Sequence, residues 1–121
     1  MVASEIIRRR VFADFSIAHF MRFKKEIATG NITLSPAMMH PDGCKLHKYC
    51  KLNVMLNLVD KMSIDKASIL AVGDNENDIC LLKACGHPVA FRPKIDMTMH
   101  GIKNIVHGSL TEILEIINKF P

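Results

Sequence analysis

The sequence lacks a long hydrophobic segment, since no apolar run approaches the ~20 residues that a membrane-spanning helix needs. Its start also lacks the apolar core of a secretory signal, and Arg8, Arg9 and Arg10 interrupt the segment where such a core would lie. These absences exclude the usual signs of membrane insertion and export. We therefore expect a cytoplasmic protein with no membrane partner.

The sequence also lacks a concentrated basic patch. The formal net charge is +4, but the basic residues are dispersed, and the single run from Arg8 to Arg10 has no stacking aromatics beside it beyond scattered phenylalanines. A modest positive balance suits an anionic small substrate as well as it suits nucleic acid. The sequence therefore disfavours nucleic acid as the main partner.

Internal repeats and low-complexity linkers are absent as well. A chain of 121 residues is long enough for one domain, and a domain of this size buries roughly two-thirds of its unfolded surface. We therefore predict a single domain over residues 1–121.

Four cysteines without an export signal favour reduced thiols over disulfides. The spacing Cys44-x2-His47-x2-Cys50 contains residue types that bind zinc, but it lacks a paired C-x2-C. The other two cysteines, Cys80 and Cys85, lie in and after a later predicted helix. Two interpretations stay open: a small zinc- or nucleic-acid-binding protein, or small buried hydrophobic side chains and a surface loop.

The first part of the chain predicts three local structures. Near-helical spacing of apolar residues favours a short amphipathic helix over residues 5–15. Residues 17–34 predict a β-hairpin, with the turn at Thr29-Gly30-Asn31. Two prolines and an Asp-Gly pair then indicate a loop over residues 36–48.

The rest of the chain alternates helices and strands, which is typical of a parallel α/β sheet. Leu52, Met55, Val59 and Met62 repeat at helical intervals and predict a core-facing helix with Lys51 in its first turn. The predicted order continues with a strand at 68–72, a helix at 77–84, strands at 88–91 and 103–106, and a final helix.

The final helix has its own start signal, because Ser109 and Glu112 have the spacing of a capping box. Its predicted apolar face consists of Leu110, Ile113, Leu114, Ile117 and Phe120.

Two carboxylates, Asp74 and Asp78, follow the apolar strand at 68–72. In an open parallel sheet, ligands gather beyond the carboxyl ends of the strands, so this pair is suited to hold a divalent cation. Gly73 is expected to let the backbone turn tightly, and free amides at residues 75–77 would favour phosphate. The alternative is that Asp74 and Asn75 form a turn and a helix cap without a ligand.

The segment from Gly73 to Asp78, followed by Leu81-Leu82 and Ala84-Cys85-Gly86, resembles the fourth motif of the haloacid dehalogenase (HAD) superfamily. The subgroup it most resembles is the phosphoserine phosphatases, whose motif runs Gly-Asp-Gly-x-Asn-Asp; Asn75 replaces the second glycine. Lys51 lies 23 residues before Asp74 and is similar to the third-motif lysine of that family.

The resemblance extends over residues 51–119, because Val89 to Lys94 resembles the next strand of the family and Ser109 to Leu114 its closing helix. It implies the C-terminal portion of a Rossmann-like HAD core, a three-layer α/β/α arrangement with a mainly parallel sheet.

The resemblance also implies a function: Mg²⁺-dependent hydrolysis of a phosphomonoester through an aspartyl-phosphate. Asp74 and Asp78 would be the metal ligands, and Asn77 would lie beside the phosphate. Lys51 would be catalytic and would bind phosphate by balancing its charge; the alternative is a solvated lysine flanking a helix. The implied substrate is a small phosphorylated metabolite such as phosphoserine.

One part of the family pattern is missing, because no Asp-x-Asp nucleophile motif occurs anywhere in the sequence. Ser4, 47 residues before Lys51, has the position of the phosphate-binding serine of the second motif, although a helix N-cap explains it equally well. We therefore expect the isolated chain to be inactive.

A core without its first strand would leave an open sheet edge, which favours association. We expect that edge to be covered by self-association or by a complementing N-terminal fragment. The alternative function is a non-catalytic interaction or regulatory module on the same scaffold.

Overall fold

The computed structural model describes residues 2–119. The N-terminal part contains helix α1 (Val2–Arg10) and a hairpin of β1 (Phe20–Lys24) and β2 (Ile27–Thr33). The elements that follow are α2 (Lys51–Met62), β3 (Leu70–Gly73), α3 (Ile79–Ala84), β4 (His87–Phe91), β5 (Asn104–Val106) and α4 (Glu112–Ile117). In the part of the chain so described, no helix is long and apolar enough to cross a membrane.

The predicted hairpin is confirmed, but its predicted turn is wrong. The strands reverse at Lys25 and Glu26, whose φ values of 51° and 64° match the positive dihedrals of a tight hairpin turn. Residues 29–31 instead lie inside β2, where the register with β1 shifts and Gly30 takes a φ of 82°. The Thr-Gly-Asn signal therefore marks a β-bulge, which also requires a residue that tolerates positive φ.

The central sheet of the described chain has the order β3-β4-β5, with all strands parallel. Val89 and Ala90 are adjacent in β4, so their side chains point to opposite faces. Ala90 packs with Met55 of α2 and Leu82 of α3, whereas Val89 packs with Ile113 of α4. Helices therefore cover both faces, which confirms the expected three-layer α/β/α architecture.

The last helix differs from its prediction in two ways. Ser109 accepts a hydrogen bond from the N–H of Thr111 at 3.3 Å, and the helix starts only at Glu112, so no capping box is seen between Ser109 and Glu112. Ile113 and Ile116 pack inward, but most of the predicted apolar face is exposed: Leu110, Leu114 and Ile117. Phe120 lies outside the described residues.

Candidate functional site

The candidate site lies where β3 ends and leads into a short 3-10 turn, Glu76–Asp78. Asn75 caps this turn, since its Oδ1 accepts a hydrogen bond from the N–H of Glu76 at 2.9 Å. A Cβ on Gly73 would lie 2.5 Å from the Cβ of Asp78. Glycine is therefore needed here for the close approach of Asp78.

The buried carboxylate of Asp78 holds the loop in place. The residue is 2% exposed, and its Oδ2 accepts hydrogen bonds from the N–H groups of Asp74 at 2.9 Å and Asn75 at 3.2 Å. Its Oδ1 accepts a hydrogen bond from Lys51 Nζ at 2.5 Å. Both carboxylate oxygens are therefore engaged with the protein, so Asp78 holds the loop that presents Asp74, and its part in a metal site stays a prediction.

The surroundings of Asp78 decide its charge. Burial works to raise the pKa of the carboxyl, but the hydrogen bonds from Lys51 and from the N–H groups of Asp74 and Asn75 outweigh it and lower the pKa. A lowered pKa keeps Asp78 ionised at neutral pH, so the lysine and the loop amides face a full negative charge.

This lowered pKa predicts acid sensitivity. The ionised form of Asp78 stabilises the folded state above the unfolded carboxyl pKa of about 3.9, and that contribution is lost as the pH falls through the folded value. We expect the difference in unfolding free energy between the wild type and Asp78→Asn to be largest near pH 7 and to shrink on acidification. Urea titrations at several pH values measure it; a constant difference would contradict the assignment.

Asp74 is placed differently from Asp78. Its side chain is 49% exposed at the carboxyl end of β3, and Lys94 Nζ lies 3.8 Å from its Oδ2. Mg²⁺ is commonly held by one or two carboxylates together with water and substrate phosphate. Asp74 therefore fits the ligand role that the sequence predicted for it, as a hard oxygen donor that the protein leaves accessible.

Lys51 and Asn77 line the same cavity. Both contribute to the wall of an apolar groove of about 710 Å³ that runs along β3. The structure thus brings Lys51, Asn77, Asp74 and Asp78 to one end of the sheet, as expected. Their functional roles stay predictions.

The loop amides differ from expectation. The N–H groups of Asp74 and Asn75 donate to Asp78, and that of Glu76 donates to Asn75. Of the amides predicted to be free at residues 75–77, those of Asn75 and Glu76 therefore already have partners within the protein. For the amide of Asn77 the role stays a prediction.

Ser4 lies in helix α1 and not in the loop that follows β3. A serine of the second motif would follow a strand, but Ser4 is the third residue of α1 and follows the helical residues Val2 and Ala3. The strand context expected for a second-motif serine is therefore wrong, and its role as a phosphate ligand stays a prediction.

Lys94 is the site residue that had no assigned role. Its N–H donates to the carbonyl oxygen of Asp74 at 2.7 Å, and its ammonium faces the Asp74 carboxylate. Its position shortly after β4 was the available signal, because the carboxyl ends of adjacent parallel strands meet at one edge of the sheet.

The fold agrees with a comparison of the sequence with known families. A profile described as haloacid dehalogenase-like hydrolase matches residues 46–107, about half of the chain, and the protein belongs to this family. An uncharacterized hydrolase of Schizosaccharomyces pombe is 32% identical over 72 residues, which cover 54% of this chain and 24% of the yeast protein.

Solved structures show the same fold at low sequence identity. A phosphoserine phosphatase in apo form has a TM-score of 0.76 and 22% identity, with 95% of this chain and 53% of that chain covered. A substrate-bound phosphoserine phosphatase has a TM-score of 0.73 at 20% identity, covering 95% and 50%. A HAD family hydrolase of Salmonella enterica serovar Typhi has a TM-score of 0.73 and 19% identity, with 99% of this chain and 38% of that chain covered. The chain therefore spans about half the length, or less, of the proteins it matches.

Proposed function

We propose that this chain carries the metal- and phosphate-binding half of a Mg²⁺-dependent phosphomonoester hydrolase that works through an aspartyl-phosphate. The observation that carries the proposal is the ion pair between Lys51 and Asp78, which fixes the loop that presents Asp74 at the end of β3. The arrangement joins a cation, an accessible carboxylate and an anchoring carboxylate at the edge where parallel α/β sheets bind ligands.

Each residue has a separate task in this proposal. Asp74 would hold Mg²⁺, which when bound neutralises charge on the phosphoryl oxygens. Lys51, whose side chain is 44% exposed, keeps Asp78 ionised and offers its remaining N–H donors to a phosphate in the groove. Asn77 lines the same groove and can donate an amide hydrogen bond to the phosphate.

The proposed substrate is a small phosphomonoester such as phosphoserine. The support for it is the shared fold with phosphoserine phosphatases, one of which was solved with its substrate bound. The aspartate nucleophile that this chemistry needs is absent from the sequence as an Asp-x-Asp motif.

We further propose that a strand-bearing segment with the Asp-x-Asp motif completes the sheet at β3. Among residues 2–119, β3 pairs with β4 alone, and Val72 within β3 is 41% exposed. The apolar groove runs along this same strand. This chain matches about half the length of two phosphoserine phosphatases. We therefore propose that a segment equivalent to the unmatched half of those proteins occupies the free edge of β3.

The N-terminal elements support this proposal. Large apolar side chains are exposed in α1 (Ile7), in the turn that follows it (Phe12 at 93%) and in the hairpin (Phe23 and Ile27). Where such exposed apolar side chains lie together, they mark an interaction site or an association hazard. The alternative is that this chain self-associates. Sedimentation at high protein concentration distinguishes a self-associated dimer from a monomer that can bind the complementing segment.

The isolated chain is expected to show no hydrolysis of phosphoserine above background, with or without Mg²⁺. A sensitive phosphate-release assay measures this on the wild type, on Asp74→Asn and on the control Asp14→Asn, which changes an exposed aspartate between α1 and β1. Mg²⁺-dependent turnover that is abolished by Asp74→Asn and retained by the control would show that the chain is active alone, contrary to the proposal.

A further inference from the structure

A second cluster of polar side chains lies apart from the ion pair of Lys51 and Asp78. The ligand atoms of Cys44, His47, Cys50 and Cys80 all lie within 4.8 Å of one another. Three of these residues come from the Cys-x2-His-x2-Cys segment before α2, and the fourth comes from α3. The fold thus supplies the fourth donor that the sequence spacing lacked.

The distances within the cluster fit a tetrahedral zinc site. Zinc bonds of about 2.3 Å to sulfur and about 2.0–2.1 Å to nitrogen place tetrahedral donors about 3.8 Å (S···S) and about 3.6 Å (S···N) apart. The Sγ atoms of Cys44 and Cys80 are 3.7 Å apart. His47 Nδ1 lies 3.4 Å from Cys44 Sγ and 3.6 Å from Cys80 Sγ.

One hydrogen bond fixes the position of the loop that carries Cys44. The N–H of Cys44 itself donates to Asn53 Oδ1 at 2.8 Å, which ties the loop to α2.

A disulfide explains the cluster less well. All four cysteines of the chain are free, and 3.7 Å between Cys44 and Cys80 is far longer than the S–S bond of about 2.05 Å. A disulfide also gives no reason for the third thiol or for a histidine nitrogen aimed at two sulfurs. Three sulfur donors and one imidazole are a common structural zinc set.

We propose that Cys44, His47, Cys50 and Cys80 bind one structural Zn²⁺ ion. Cys50 directly precedes Lys51, and Cys80 is two residues past Asp78. The ion would therefore link the start of α2 to α3, close in sequence to both members of the Lys51–Asp78 ion pair. The proposal does not depend on the phosphatase assignment.

Zinc content of the purified chain tests the proposal. After expression with added zinc, and under reducing conditions, native mass spectrometry is expected to show one Zn²⁺ per chain. Replacing that zinc with Co²⁺ is expected to give the absorption of a tetrahedral cobalt–thiolate site. Chelation of the metal is expected to lower the Tm, because metal binding to a folded site stabilises that fold.

Single substitutions then assign the ligands. We expect each of three variants to weaken Zn²⁺ binding at least about 100-fold: Cys44→Ser, Cys80→Ser and His47→Ala. Loss of a residue that only hydrogen-bonds to a metal ligand already costs about 10–100-fold, and loss of the ligand itself should cost at least as much. Cys85→Ala and His107→Ala are the matched controls and should bind zinc as the wild type does. His47 and His107 are both exposed, so this pair compares ligand loss with little risk of misfolding.

Three results would overturn the proposal. The first is an absence of stoichiometric zinc in the folded wild type. The second is zinc binding that survives in the folded His47→Ala and Cys80→Ser variants. The third is a Cys44–Cys80 disulfide in freshly isolated protein that contains no zinc.

Discussion

Replacing Asp78 with alanine is expected to lower the free energy of unfolding by about 2–4 kcal/mol, because it leaves buried backbone donors without an acceptor and opens a cavity. The substitution removes the acceptor for Lys51 and for two backbone N–H groups of the site loop. The exposed lysine regains water, so the larger part of the loss comes from the loop amides and the cavity. Urea unfolding with one spectroscopic probe measures the change.

Asp74 provides the matched control for that experiment. It lies four residues earlier in the same loop, but its carboxylate is half exposed and its nearest cation is 3.8 Å away. Asp74→Ala is therefore expected to change the unfolding free energy by less than about 0.5 kcal/mol. Equal losses in the two variants would contradict the division between an anchoring and an accessible carboxylate.

Replacing Asn53 with alanine is expected to cost about 2–3 kcal/mol. Asn53 is 1% exposed, and its amide accepts from the N–H of Cys44 and donates to the carbonyl oxygens of Met38 and Lys48. Truncation leaves the N–H of Cys44 and the carbonyl oxygen of Lys48 without this partner, whereas the Met38 oxygen keeps its hydrogen bond from the N–H of Cys50. Each unsatisfied buried group costs about 1–3 kcal/mol before relaxation. Thermal or urea unfolding in the presence of a chelator measures the loss without any contribution from metal.

Asn57 serves as the comparison for Asn53. It lies one helical turn later in α2 and donates to the carbonyl oxygens of Ala37 and Met39 at 3.0 and 2.9 Å. Because this site is less buried, water can replace the lost hydrogen bonds, and Asn57→Ala is expected to cost about 1 kcal/mol or less. An Asn57 loss as large as that of Asn53 would show that burial does not set the cost.

The features that the sequence predicted correctly are those encoded locally. The 3.6-residue spacing after Lys51 predicts a helix, and the apolar run before Asp74 predicts a strand. The alternation of such elements predicts a parallel α/β sheet. The site loop was recognised because Gly73 to Asp78 is a contiguous motif. Local patterns of this kind need no knowledge of what packs against them.

The features that it missed depend on contacts between distant segments. Asp74 and Asp78 are the same residue type in one loop, and only tertiary packing makes one accessible and the other buried against Lys51. Cys80 gives no local sign that it joins Cys44, because 36 residues separate them. The hairpin turn at Lys25 and Glu26 opposes residue preference, since glycine or asparagine is favoured at positive φ.

Co-expression of this chain with an N-terminal segment of a HAD phosphatase, carrying the first strand and its Asp-x-Asp motif, tests the central claim most directly. We predict a stable complex with Mg²⁺-dependent hydrolysis of phosphoserine that is lost in Asp74→Asn and in Lys51→Met and retained in Asp14→Asn. A stable complex whose activity is unaffected by Asp74→Asn and Lys51→Met, or one with no activity at all, would contradict the account.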